Sequence, residues 1–258
     1  MNKLYSLVWV CCCIPVLISG AALPEDVEKC HYGDSTCMIR SINALIKRYP
    51  KGISDIGLPP LDTYYFPNSS ILESPHSGPI WIDFRVRDNM FKGFNNATIT
   101  QVEGFLREPN QKQIVLSARL PRILQEATYD MEGRFLLFAF NTTGRLSSDF
   151  QNIRITLTIK TLVEYRNGKR YLKIYSLKPT LDLDRWIIWL DGLYKENMDV
   201  SIFMNKLIND NWLEIWNELQ PGLIQLFTKA FTVLLNKVFE NVAYDDMFLS
   251  DFDIRLGQ

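Results

Sequence analysis

From Val200 to Val242 the apolar residues step by three and four: Ile208, Trp212, Ile215, Leu219, Leu223, Leu226, Ala230, Leu234 and Val238. Phe227, Phe231, Leu235 and Phe239 widen the stripe. The spacing is helical, as two helices or one kinked helix. Pro221 removes a backbone donor in the middle and should kink or restart the run. So broad an apolar surface does not suit a strut on the outside of a protein; it has to be wrapped.

The wrapper on offer is β-structure. Ile80, Ile82, Phe84 and Val86 alternate with Trp81, Asp83, Arg85 and Arg87, and Ile114, Leu116, Ala118 and Leu120 repeat the pattern. Tyr129, Met131, Gly133, Phe135 and Leu137 share a face opposite Asp130, Glu132 and Arg134. The clearest run is Ile153, Ile155, Leu157, Ile159, Thr161, Val163 and Tyr165. Alternation of this length predicts long antiparallel strands with one buried face. Asn167-Gly168 signals a tight hairpin leading into a strand from Arg170.

Ahead of the strands, Met38, Ile42, Leu45, Ile46 and Tyr49 predict a short helix from Thr36 to Tyr49, capped by Asp34 or Ser35 and ended at Pro50-Lys51-Gly52. The segment from Gly52 to Pro79 is long for a loop, so it should be functional or partly extended against the sheet. With no short repeat, charge block or flexible linker, one continuous domain over residues 23–258 is the better reading.

The chain opens with Lys3, an apolar run from Leu4 to Ile18 and small residues to Ala22. That order is a signal-peptide pattern over residues 1–22, with an uncleaved anchor as the alternative. Cleavage is expected between Gly20 and Leu23 and removes Cys11, Cys12 and Cys13. It leaves Cys30 and Cys37, an even pair that reads as one disulfide in a secreted chain; two buried thiols are the other option. The mature chain has 28 Lys and Arg less Lys3 against 29 Asp and Glu, a net −2. Such a balance does not support binding to nucleic acid or to an anionic membrane. Sequons at Asn68, Asn96 and Asn141 are plausible glycan sites on the surface of a secreted protein.

Catalytic signatures are scarce. The mature chain has His31 and His76 only, too few for a zinc site. His76 could serve a hydrolase, but no Gly-x-Ser-x-Gly elbow accompanies it. There is no phosphate loop or dinucleotide fingerprint, so no metal or cofactor is expected. Asp182/Asp184 and Asp245/Asp246 read as solvated pairs, the first on an outer strand face. The abundant feature is apolar surface. Most of it is ordinary core, yet a wide sheet curling around a long helix can leave an apolar space at its ends.

Several segments, in order, resemble the insect takeout and haemolymph juvenile-hormone-binding family. They are Cys30-His-Tyr-Gly-Asp-Ser-Thr-Cys37, Gly57-Leu58-Pro59-Pro60-Leu61-Asp62, and Leu120-Pro121-Arg122-Ile123-Leu124 followed by Tyr129 to Leu136. Met204-Asn205 to Trp212, Glu218-Leu219-Gln220-Pro221 and the tail Val242 to Phe248 complete the set, although a proline often stands where this chain has Ala243. One segment departs from the pattern. Trp186-Ile-Ile-Trp189-Leu-Asp191-Gly192-Leu193-Tyr194 stands where the family usually shows an Asn-Leu-Phe-Asn-Gly-Asp-like run, so local conformation and ligand access are expected to differ there.

The resemblance implies an α+β fold in which a long C-terminal helix is wrapped by a highly curved antiparallel sheet, a super-roll of the TULIP kind, with a short N-terminal helix and an internal apolar channel. It implies a non-enzymatic, secreted carrier of juvenile hormone, another terpenoid, a fatty acid or a similar lipid, in circadian, feeding or chemosensory physiology. No nucleic acid and no stable membrane insertion are expected. The alternative keeps the fold but acts at a lipid surface or on a receptor. On inward strand faces, the expected channel residues are Tyr129, Met131, Phe135, Leu137, Ile155 and Leu157. On the helix stripe they are Trp212, Ile215, Leu219 and Phe227. Tyr129 or Trp212 is expected to orient a polar head group.

Overall fold

The computed structural model describes residues 21–249, apart from the side chains of Phe135 and Phe138. The expected signal segment therefore lies outside the described residues, except at its last two positions. Helix α1 (Ser35–Arg48) is followed by strands β1 (Thr63–Phe66), β2 (Ser69–Glu73), β3 (Ile80–Lys92) and β4 (Thr98–Glu103). Next come β5 (Ile114–Phe135), β6 (Phe138–Arg166), β7 (Lys169–Asp182) and β8 (Arg185–Leu190), then helices α2 (Met198–Asp210) and α3 (Trp212–Asn241).

Among the described residues all strands join one eight-stranded, open sheet along the path β1-β3-β5-β6-β7, with β2 on β3, β4 on β5 and β8 on β6. Every pairing is antiparallel. The expected run at 114–120 and the run from 129, as far as Phe135, are one strand, the 22-residue β5, and the run at 153–165 is the end of the 29-residue β6. Alternation missed this because its phase changes midway. Leu120 and Ile123 are both buried on β5, and so are Phe150 and Ile153 on β6. The change falls where Pro121, which lacks an N–H, faces Asn152, which takes a left-handed φ of 51°. The segment from Gly52 to Pro79 supplies β1 and β2, extended against the sheet as expected. Asn167 and Gly168 have φ values of 52° and 76°, the left-handed pair that a two-residue hairpin between β6 and β7 requires.

Helix α3 touches both margins of the sheet, which is what wrapping means here. On one side the Tyr64 hydroxyl donates to Ala230 O at 3.5 Å. Gly222 backs onto β2 so closely that a Cβ there would lie 1.8 Å from Ile71 O. On the other side Ile174 N donates to Asn236 Oδ1 at 2.8 Å. By length and composition α3 could span a bilayer, but its apolar face, including Leu223, Leu226 and Ala230, is buried in the protein core. The helical run breaks at Asn211, not at Pro221 as the sequence suggested. Asn211 closes α2 by donating from its side chain to Leu207 O at 2.8 Å. Pro221 sits on an exposed face of a helix that continues through it.

The disulfide joins Cys30 and Cys37, with Cα atoms 5.7 Å apart, and Asp34 caps α1 by accepting from Cys37 N at 3.0 Å. Cys30 also forms a bridge with Phe248, so the stapled N-terminal segment meets the C-terminal one. Beside it Arg170 grips Asp245 through two contacts of 2.6 and 3.1 Å, and the Tyr32 hydroxyl donates to the same carboxylate at 2.9 Å. The Arg170 bond holds the Asp245 carboxyl below its ordinary range, while burial, aided by Asp245, pushes the Tyr32 phenol up to about 12. A carboxyl lowered in the folded state stabilises the fold above its unfolded value, and that contribution is lost as pH falls through the folded value. Asp245→Asn should therefore melt below the parent protein at neutral pH, and the gap should close in acid below the ordinary carboxylate range. A gap of constant size across a pH series of melting curves would refute this.

Candidate functional site: an apolar cavity under α2

Between the start of α3 and the hairpin end of β5 and β6 lies an apolar cavity of about 540 Å³. That is within the size range of sites for small hydrophobic molecules. Helix α3 contributes Ile215 and Leu219, α2 contributes Met204 and Ile208, and the sheet contributes Ile82 and Phe84 from β3, Met131 from β5 and Phe140 from β6. Strand β8 and the turn after it complete the wall with Ile188, Leu190, Leu193 and Tyr194. Among the described residues, Glu218 is the charged group on this lining. Tyr194 and Met204 are both part of the lining and part of the outer surface, so they mark the rim.

Helix α2 roofs the cavity with Met204 and Ile208, and polar residues beside them, Ser201 and Asn205, also face inward. Strand β8 has an edge away from β6, and the side chains of α2 pair with it. Asn209 accepts from Ile188 N and donates to Ile188 O, at 2.9 and 2.7 Å. One turn earlier, Asn205 accepts from Leu190 N and donates to Leu190 O, at 2.8 and 2.9 Å. One turn earlier again, Ser201 accepts from Tyr194 N and donates to Tyr194 O, at 2.9 and 2.8 Å. Helical spacing of four puts these residues on one face, and Ile188 and Leu190, two apart on β8, point their N–H and C=O to one edge, so the two periods mesh there, while Tyr194 is met in the turn beyond the strand. The opposite face of α2 presents Met198, Ile202, Phe203 and Leu207 to the outside.

Midway along α3 the interior is filled by aromatic rings. Phe91 of β3 and Phe150 of β6 lie with ring centroids 6.2 Å apart, and Phe150 continues to Trp186 of β8 at 6.0 Å. From the helix, Phe227 reaches Phe91 at 5.7 Å and Trp216 reaches Phe150 at 6.3 Å. Past this wall is a gap of only about 20 Å³, bounded by Phe227 and Phe231, and then a second apolar cavity of about 210 Å³ beneath α1. The continuous channel implied by the resemblance is thus divided.

The expected contacts distribute unevenly. Met131, Ile215 and Leu219 lie on the larger cavity, Ile155 and Leu157 on the smaller one, and Phe227 belongs to the wall between. Tyr129 is fully buried beside the larger cavity and donates its hydroxyl to Asp191 O at 2.8 Å, so that hydroxyl is already engaged and does not face a ligand. Trp212 lies outside both cavities, half-buried under the Arg185 guanidinium at 5.5 Å. Leu137 is 96% exposed. β5 ends at Phe135 and Leu136 takes a φ of 57°, so alternation stops before Leu137 and its side chain leaves the inner face. Phe135 ends β5, and its side chain is outside the described residues. Sequence reasoning put Ile208 on the helical stripe but left it and the lining from Ile188 to Met204 out of the expected contacts, because polar residues share the inward side of α2. The available signal was the departure from the family pattern at Trp186–Tyr194, which supplies four lining residues.

His76 stacks on Trp81 at 4.0 Å and bonds Asp83 at 3.1 Å, away from the cavity. Among the described residues no group of three or more His, Cys, Asp and Glu is placed to hold a metal ion.

Comparison with known proteins agrees with this architecture. The crystal structure of Takeout 1 from Epiphyas postvittana superposes with a TM-score of 0.71 at 22% identity, covering 84% of this chain and 97% of that one. The circadian clock-controlled protein daywake of Drosophila melanogaster is 20% identical over 245 residues, 94% of this chain and 93% of its own length. Its counterpart in Drosophila yakuba is 20% identical over 236 residues, 90% and 91% of the two chains. The model of haemolymph juvenile hormone binding proteins matches residues 6–249. With that match running over nearly its whole length, the chain belongs to the haemolymph juvenile hormone binding protein family.

Proposed function

We propose that this protein is a secreted, non-enzymatic carrier that shields one small hydrophobic molecule from water in the cavity beneath α2. The observation that carries this reading is a cavity of about 540 Å³ whose described lining is apolar apart from Tyr194 and Glu218. Met131, Ile215 and Leu219 are the contacts expected from the sequence that line this cavity. A ligand of about a dozen methylenes gains roughly 10 kcal/mol from burial, and association costs reduce that to micromolar or nanomolar binding. Juvenile hormone, another terpenoid or a fatty acid meets this description. The matched Drosophila proteins are named for clock control, which supports a role in circadian physiology. Secretion agrees with the Cys30–Cys37 disulfide, and Asn68, Asn96 and Asn141 are all exposed as glycan acceptors must be.

Solvent extraction of the purified protein followed by mass spectrometry should release a hydrophobic molecule in near-stoichiometric amount. The emptied protein should then take up a fluorescent fatty acid or a juvenile-hormone analogue. No co-purified lipid and no uptake of either probe would remove the carrier reading. A second reading, action at a lipid surface, draws on the outward apolar face of α2 at Met198, Ile202, Phe203 and Leu207. Flotation with neutral liposomes, lost in Phe203→Ser, would favour it.

A further inference from the structure

We infer that the aromatic wall makes the interior two separate chambers and thereby limits the ligand to a compact molecule held wholly on the α2 side. The inference rests on the carrier reading and sharpens its ligand class.

The chain itself gives the order of the chambers. Along α3 the larger cavity ends at Leu219, the wall includes Phe227, and the smaller cavity is reached at Phe231 and Leu234. At 1.5 Å per residue, Leu219 and Phe231 are roughly 18 Å apart along the axis. Strand β6 runs through the same sequence, from Phe140 on the larger cavity through Phe150 in the wall to Leu157 on the smaller one. Strand β5 repeats it with Met131, Ile123 and Leu116. Three long elements agree, so the cavities lie end to end with the rings between them.

The wall is closed from both sides. Phe91 is 0% and Phe150 2% exposed on the sheet, and Trp216 is 4% and Phe227 6% exposed on the helix. Their rings meet across the interior in edge-to-face pairs, the arrangement that aromatic quadrupoles favour. Moving one ring aside requires its neighbours to move, because interiors packed this way have little spare volume. An extended chain long enough to need both cavities has no path between them. A terpenoid or a medium-chain lipid fits within the larger one alone.

The test compares obstruction on the two sides of the wall, with decanoic to eicosanoic acid as competitors against a fluorescent fatty acid. Leu219→Trp, and Ile215→Trp as a second choice, narrows the larger chamber. Leu234→Phe, and Leu45→Phe as a second choice, narrows the smaller one, and each variant is first shown to melt cooperatively. The expected result is a more than tenfold loss of affinity on the α2 side and less than a twofold change on the α1 side. In the parent protein, affinity should peak at an intermediate chain length and fall for the longest acids. Equal losses on both sides, or affinity that climbs to the longest acid, would overturn the division while leaving the carrier reading intact. Failure of the parent protein to bind any acid or co-purified lipid would remove the carrier reading, and the inference with it.

Discussion

Asn205→Leu is expected to destabilise the protein by about 3 kcal/mol, although it replaces a polar residue with an apolar one inside the structure. Asn205 is 0% exposed and satisfies both backbone groups of Leu190 while donating to Ser201 O at 3.0 Å. Leucine is close in size but leaves Leu190 N and O buried without partners, and each such loss costs about 1–3 kcal/mol. At about 2–4 °C per kcal/mol for a chain of this size, the melting temperature should fall by roughly 10 °C. Phe203→Ser, on the opposite face of the same helix and 64% exposed, should change it little. An Asn205→Leu variant that melts with the parent would show that the amide pairing contributes nothing.

The second large effect reverses a familiar trend. Gly to Ala inside a helix usually stabilises, by about 0.5–1 kcal/mol. Gly222 lies within α3, yet Gly222→Ala should cost roughly 3 kcal/mol. The added carbon would sit 1.8 Å from Ile71 O and 2.5 Å from the carbonyl carbon of Ile71, so backbone must move rather than a flexible side chain. Gly168→Ala is the control. Beyond its own chain neighbours no atom lies within 4 Å of the position its Cβ would take, and φ is 76°, so only the left-handed backbone is penalised, by about 1–2 kcal/mol. Urea unfolding of the two variants should rank them in that order; a milder Gly222→Ala would mean that β2 lifts off α3 easily.

The parts of this fold that were legible in the sequence are those that follow one period. The stripe from Ile215 to Phe239 and the alternation from Ile153 to Val163 each report a single buried face, and together they demand a wrapped helix. What escaped is where two periods meet. The phase change at Pro121 and Asn152 hides the fact that β5 and β6 are continuous. Ser201, Asn205 and Asn209 pair with β8 and the turn after it, so polar side chains share the buried side of α2 and the apolar stripe read from Ile208 onward does not mark the roof. The site suffered most from this. Of the lining of the candidate site, Ile215, Leu219 and Met131 were visible as inward positions, but the roof and rim were not. Leu137 was misplaced because a two-residue turn cannot be told from two more strand residues when both are leucine.

The connectivity of the sheet also fixes the order in which shelter becomes available to a growing chain. Strands pair mostly with near neighbours in sequence, so the hairpins can close one after another as they emerge. The helix that fills their hollow is encoded after all of them. At synthesis rates of about 5–20 residues per second, the inner rings of Phe66, Phe91 and Phe150 wait roughly 5–35 s for α3 to be made. During that interval the sheet is an uncovered apolar trough with unpaired margins, the condition in which chains associate wrongly. Yield of this protein in a foreign host should therefore depend on chaperone supply and temperature more than its final stability suggests, and truncations that lack α3 should be insoluble.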